Sequence, residues 1–85
     1  MTTFTQTELE TLSLHAIAKL IQRDWKNVNY AAKPYLDAMH QLRDVQDTFG
    51  LDDGSSIVRY FLGNATSWRG ETARNVKAEL KRRLK

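Results

Sequence analysis

The sequence predicts an all-α fold, a compact bundle of about four helices, and three observations carry that prediction. Apolar residues recur at intervals of three and four in separate segments, and turn-forming residues divide those segments. The short segment whose composition would also suit a strand has no partner strand. At 85 residues with 41% apolar and 27% charged side chains, the chain fits one small domain with a real core. The expected organisation is a flexible N-terminus over residues 1–6 and one helical domain over residues 7–85.

Thr7 and Glu10 match a capping box, in which the Thr hydroxyl accepts from the third helical amide and the Glu reaches back to the cap. A first helix is predicted to start there. Leu9, Leu12, Leu14, Ile17, Leu20 and Ile21 spread over more than half of its circumference, so it should pack against two neighbours. His15 falls in the polar sector with Glu8 and Lys19 and reads as a solvated side chain.

Two asparagines favour a break at Asn27 to Asn29, because their side chains compete for backbone hydrogen bonds. Pro34 suits a first helical turn, so a second helix is predicted to open between Ala31 and Pro34 and to run to about Thr48. Tyr35, Ala38, Met39, Leu42, Val45 and Phe49 form its apolar face. Gly50 is the expected stop, taking the left-handed conformation. The stretch from Leu51 to Ser55, with its Asp-Asp-Gly-Ser core, reads as a loop.

A third, largely buried helix is predicted from about Ser56 on the strength of Ile57, Val58, Tyr60, Phe61 and Leu62. Gly63 and Asn64 end it, and Thr66 or Ser67 is the expected cap of a last helix. That helix carries a narrow apolar stripe of Ala73, Val76, Leu80 and Leu84. Trp68 lies off the stripe, so either the regular helix starts after Gly70 or Trp68 anchors a separate contact. Both Trp25 and Trp68 are expected to be at least partly buried, because so small a domain needs their area.

Charge is unevenly distributed. The net charge of +3 divides into seven bases and two acids over residues 68–85, against six bases and eight acids over residues 1–67. Arg74, Lys77, Lys81 and Lys85 are spaced by three, four and four, which sets them along one side of the last helix as a cationic ridge. That ridge is the candidate contact for an anionic partner. Its bland alternative is a solvated lysine face whose last turn offsets the helix dipole.

Other chemistry finds little footing in the sequence. The absence of cysteine removes disulfides and thiolate metal sites and suits a reducing compartment. No stretch approaches the roughly 18 apolar residues of a membrane span. A cytoplasmic, membrane-free location is therefore expected. The loop from Gly50 to Gly54 resembles a calcium site only superficially, since Phe49 and Leu51 occupy positions that need acids. Asp37, His40, Asp44 and Asp47 lie along one side of the predicted second helix, but one helix face rarely completes a coordination sphere, so no metal and no cofactor is expected. A helix-turn-helix reading of Ser55 to Arg74 fits poorly, because Arg59 falls where a small residue belongs and Asn64, Arg69 and Thr72 where apolar ones do.

Three segments, Asp24-Trp25-Lys26-Asn27-Val28, Pro34-Tyr35-Leu36-Asp37-Ala38-Met39 and Ser67-Trp68-Arg69-Gly70-Glu71-Thr72-Ala73, resemble those of small uncharacterised proteins of actinobacteria and their phages. The resemblance implies a phage or mobile-element context, in which small domains act by binding a host macromolecule, and it carries over no functional residue. The resulting expectation is a non-enzymatic accessory protein that binds a host protein partner. Nonspecific nucleic-acid binding through the basic last helix is the alternative, and a homodimer burying the narrow stripe of that helix is a further one.

Overall fold

The computed structural model describes residues 6–50 and 52–84, and these form five helices and one minimal β-hairpin. The helices are α1 (Gln6–Glu10), α2 (Leu14–Asp24), α3 (Lys33–Met39), α4 (Gly54–Gly63) and α5 (Glu71–Arg83). The strands β1 (Thr48–Phe49) and β2 (Asp52–Asp53) pair antiparallel, with Thr48 opposite Asp53. The all-α bundle expected from periodicity is the observed class. Where helices begin and end differs in several places, and each difference has a local cause.

The single first helix is divided. Thr7 lies inside α1 rather than capping it, and the helix stops at Glu10. Thr11 then turns the chain, its hydroxyl donating to the Glu8 carbonyl at 2.7 Å. Ser13 sits in an extended conformation and its Oγ accepts from the Ala16 amide at 3.1 Å, which starts α2 afresh. The Leu14 amide, orphaned by the break, donates instead to the Arg43 carbonyl at 2.7 Å. The break turns Leu9 and Leu14 both fully inward, which a continuous helix would not do.

The second predicted helix is cut short. α3 ends at Met39, not near Thr48, because the aspartates beyond it bind backbone. Asp47 accepts from the Arg43 amide at 2.8 Å, and Asp44 accepts from the Gln46 amide at 2.7 Å. These Asx contacts compete with helical bonds and convert residues 43–47 into a turn. The side-by-side array of Asp37, His40, Asp44 and Asp47 therefore does not exist as a helix face. Leu42 is still buried and Val45 half-buried, so the apolar positions keep their packing role without the helix.

Gly50 does take the left-handed conformation, at φ +64°, but it turns a hairpin rather than capping a helix. Of the expected loop, residues 52–55 belong to β2 and α4 while Leu51 lies outside the described residues, and Asp53 caps α4 by accepting from the Ser56 amide at 2.8 Å. Gly54 meets a different constraint. A Cβ there would lie 2.8 Å from the Asp44 carbonyl oxygen and 2.9 Å from that of Val45, while its amide donates to the Asp47 carbonyl at 2.6 Å. Both obstructing atoms are backbone in a turn already fixed by Asp44 and Asp47, so they cannot yield cheaply. Gly54→Ala is expected to cost about 2–3 kcal/mol, whereas Gly63→Ala, with nothing within 4 Å of its Cβ position, should be neutral or better. Urea denaturation of the pair checks the contrast.

In α4, Ile57, Val58 and Phe61 are buried as expected, but Tyr60 is 54% exposed and so corrects the reading of this element as largely buried. The last helix begins after Gly70, at Glu71, and neither Thr66 nor Ser67 caps it. Its stripe of Ala73, Val76 and Leu80 is fully inside the chain's own core, with Leu84 half-buried beside it. A homodimer formed to bury that stripe has nothing left to bury.

The core is organised by aromatics. Trp25 and Trp68 stack with ring centroids 5.9 Å apart and planes 10° from parallel, and Phe61 meets the Trp25 ring edge-on at 6.2 Å. Trp68 is 2% exposed and its indole N–H donates to Asp24 Oδ2 at 2.8 Å. Both alternatives for Trp68 thus hold together: the regular helix starts beyond it, and it anchors a contact of its own. A radius of gyration of 11.6 Å matches the roughly 12 Å of a well-packed domain of this length. No helix among the described residues is long and apolar enough to cross a membrane.

Candidate functional site

Six bases are described between Trp68 and the end of α5, and the fold sorts them into two kinds. Arg82 and Arg83 are both paired with Glu79, a fully buried carboxylate one turn away, which leaves the trio with a net charge of one. Arg82 donates to both its oxygens at 2.9 and 2.7 Å, and Arg83 Nε donates to Oε2 at 2.6 Å. These hydrogen bonds, that of Arg82 foremost, hold the Glu79 carboxyl below its ordinary range against the opposing effect of burial. The other guanidinium nitrogen of Arg83 donates to the carbonyls of Leu9 at 2.8 Å and Leu12 at 2.7 Å. Arg83 thereby caps the C-terminal end of α1 and fastens it to α5.

Arg69, Arg74, Lys77 and Lys81 are the second kind. Among the described residues none of them forms an ion pair, and together they rim an open depression of about 540 Å³ beside α5. Its floor is apolar, made by Trp68, Ala73 and Ala78. Three of the expected contact residues, Arg74, Lys77 and Lys81, therefore do share one face. Lys85 lies outside the described residues.

The face is not uniformly solvated, as a plain lysine ridge would be. Lys77 is half-buried, its ammonium donates to the Trp68 carbonyl at 2.6 Å, and it lies 5.9 Å from the centre of the Trp68 ring. Burial first, then the like charges of Lys81 and Arg69, lower its affinity for a proton from the ordinary lysine value. Arg74 and Lys81 are exposed and bracket the face, seven residues or about 10 Å apart along the helix. Arg69, in the segment before α5, was no part of the periodic ridge. Only the tertiary fold brings it alongside, since Trp68 must enter the core and leaves its neighbour at the rim.

Two further groupings were hidden in the sequence. His15 is exposed, yet its Nδ1 donates to the His40 carbonyl at 2.6 Å, and the two rings meet edge-on at 6.0 Å. Partial burial, followed by the neighbouring His15, lowers the pKa of His40. This pair ties α2 to the end of α3; no group of three or more metal-ligating side chains converges among the described residues. On the opposite side of the periodicity problem, Tyr60 packs against Tyr35 with centroids 5.4 Å apart, and Tyr30 stands 88% exposed. No protein-family model, no curated protein and no solved structure matches the chain.

Proposed function

We propose that this chain is a small non-enzymatic accessory protein of the phage or mobile-element type, acting in the cytoplasm by binding a host protein through the cationic face of α5. One observation carries the reading: four basic side chains without an acidic partner among the described residues surround one open depression. A chain that pairs Arg82 and Arg83 with a buried carboxylate leaves these four without an acid at close quarters, where their mutual repulsion opposes folding. An anionic partner relieves that repulsion. The depression is lined by bases, alanines, a glycine and a tryptophan, and the ammonium of Lys77, its half-buried lysine, is held by the Trp68 carbonyl at 2.6 Å. That lining supports binding over catalysis.

Nucleic acid is the second reading, favoured by the alignment of Arg74, Lys77 and Lys81 along a helix. Affinity capture from the native host, with and without nuclease, separates the two. A protein recovered equally in both samples, and lost with the Arg74→Glu, Lys81→Glu double variant, supports the first reading. Both substituted side chains are exposed, so folding should be unchanged. Lys77 is left intact because its bond to the Trp68 carbonyl makes it a packed residue. Were nucleic acid the partner, log affinity would fall linearly with log salt, and the double variant would flatten the slope by about two.

A further inference from the structure

We infer that the depression beside α5 receives a short acidic peptide segment of the partner protein, with carboxylates on the basic rim and one apolar side chain seated on the floor between them. This rests on the protein-binding reading above and specifies its ligand chemistry.

The rim and the floor ask for different things. Arg69, Arg74, Lys77 and Lys81 supply positive charge from both sides of the depression, Arg69 from the preceding segment and the others from α5. A carboxylate suits them, and the planar forks of the two arginines are built for bidentate contact with one. The floor supplies the exposed methyl group of Ala78, with the buried Trp68 and Ala73 lining the depression beside it, and none of these rewards a charge. Apolar atoms placed there leave water, and the small alanines leave the space that a larger side chain fills. A volume of about 540 Å³ lies in the ordinary range for ligand sites and exceeds what one anionic group occupies. The roughly 10 Å between Arg74 and Lys81 is the span of about three residues of extended chain. An acid, an apolar residue and an acid in succession match that sequence of cation, floor and cation.

A phosphodiester backbone matches the rim alone. It places anions in a row with no apolar group aimed between them, leaving the floor unmatched. A second copy of this chain could offer its acidic 44–53 segment, but Asp44, Asp47 and Asp53 there already accept backbone amides.

The test is fluorescence anisotropy at low salt with three labelled probes: a hexapeptide of four glutamates around a central Leu-Phe pair, the same peptide with serines at the centre, and a short duplex DNA. The Leu-Phe peptide is expected to bind, with an affinity at least about tenfold above that of the serine peptide and above that of the duplex. The Arg74→Glu, Lys81→Glu variant should lower its affinity by at least about a hundredfold, and Ala78→Glu should abolish the preference for the apolar centre. Circular dichroism and urea midpoints confirm that each variant folds; should Ala78→Glu fail to fold, Ala78→Gln replaces it. Equal binding of the two peptides would overturn the inference by showing that charge alone acts. Tighter binding of the duplex would replace it with a nucleic-acid surface. Doubling of the solution mass without any probe, reversed by Arg74→Glu, would assign the face to self-association. If neither peptide binds while a host protein is still captured and lost with the double variant, the inference fails and the protein-binding reading stands. If capture fails as well, both fall.

Discussion

Trp68→Ala is expected to lower the free energy of unfolding by about 4 kcal/mol, the largest loss from any single substitution in this chain. Three separate contributions meet at this side chain. Its ring stacks on Trp25 at 5.9 Å, its area is 98% withdrawn from water, and its N–H satisfies Asp24 at 2.8 Å. Truncation opens a cavity under the segment that carries Arg69 and leaves an aspartate facing it without its donor. A domain of 85 residues has a total stability of only about 4–13 kcal/mol, so the loss removes between about a third and all of it. Trp68→Phe keeps most of the ring and loses the N–H, and should cost about 1–2 kcal/mol. Urea titration followed by the fluorescence of Trp25 gives both numbers, and a change within about 0.5 kcal/mol for the alanine variant would contradict the packing described.

Glu79→Ala is the second. Removing the carboxylate leaves Arg83, whose side chain is only 13% exposed, without its counter-charge while it still bonds the carbonyls of Leu9 and Leu12. The expected loss is about 3 kcal/mol, with α1 released first because Arg83 is what caps it. The same group gives stability a pH dependence of known sign. The carboxyl is depressed in the folded state from its ordinary 4.5, chiefly by the Arg82 hydrogen bonds. Its contribution is therefore complete above about pH 4.5 and declines as the pH falls through the folded-state value. Urea midpoints of the native chain should drop below pH 4.5 more steeply than those of Glu79→Gln, which cannot titrate there. Parallel curves for the two would remove Glu79 from this role.

Much of the fold was legible because burial in a helix leaves a period. Ile17, Ile21, Val76 and Leu80 are core residues placed inward by spacing, and Ile57 and Phe61 are core residues placed inward by the apolar run that holds them. Periodicity reports which side chains face in, however, and not whether the backbone between them is helical. Leu42 and Val45 kept their inward positions while Asp44 and Asp47 unwound the helix that was supposed to carry them. Ser13 gave no capping-box signal, since Ala16 rather than Glu or Gln stands at its third helical position, and the break before α2 was hidden under continuous apolar spacing.

The site was legible in part for the same reason. Arg74, Lys77 and Lys81 are neighbours through helix geometry, which any sequence displays. Arg69 joins them through tertiary folding, and the tie of Lys77 to Trp68 depends on a loop carbonyl that no residue pattern announces. The buried Glu79 cluster did carry a signal. Arginines three and four residues after a glutamate on one helix mark a local ion-pair network, and counting charges as a sum of +5 concealed it.

The cap that Arg83 places on α1 also bears on how the protein is made. During synthesis Leu9 and Leu12 leave the ribosome early, and although the Leu9 carbonyl accepts locally from the Leu12 amide at 3.1 Å, the Arg83 side chain that donates to both carbonyls follows more than 70 positions later in the chain. The described part of α1, Gln6–Glu10, is too short to persist as a helix in isolation. The nascent N-terminal segment therefore waits, exposed to whatever chaperone or protease is at hand, until α5 emerges and closes the domain in one late step. A stalled or truncated translation product lacking residue 83 would be a substrate for degradation rather than a smaller version of the same fold.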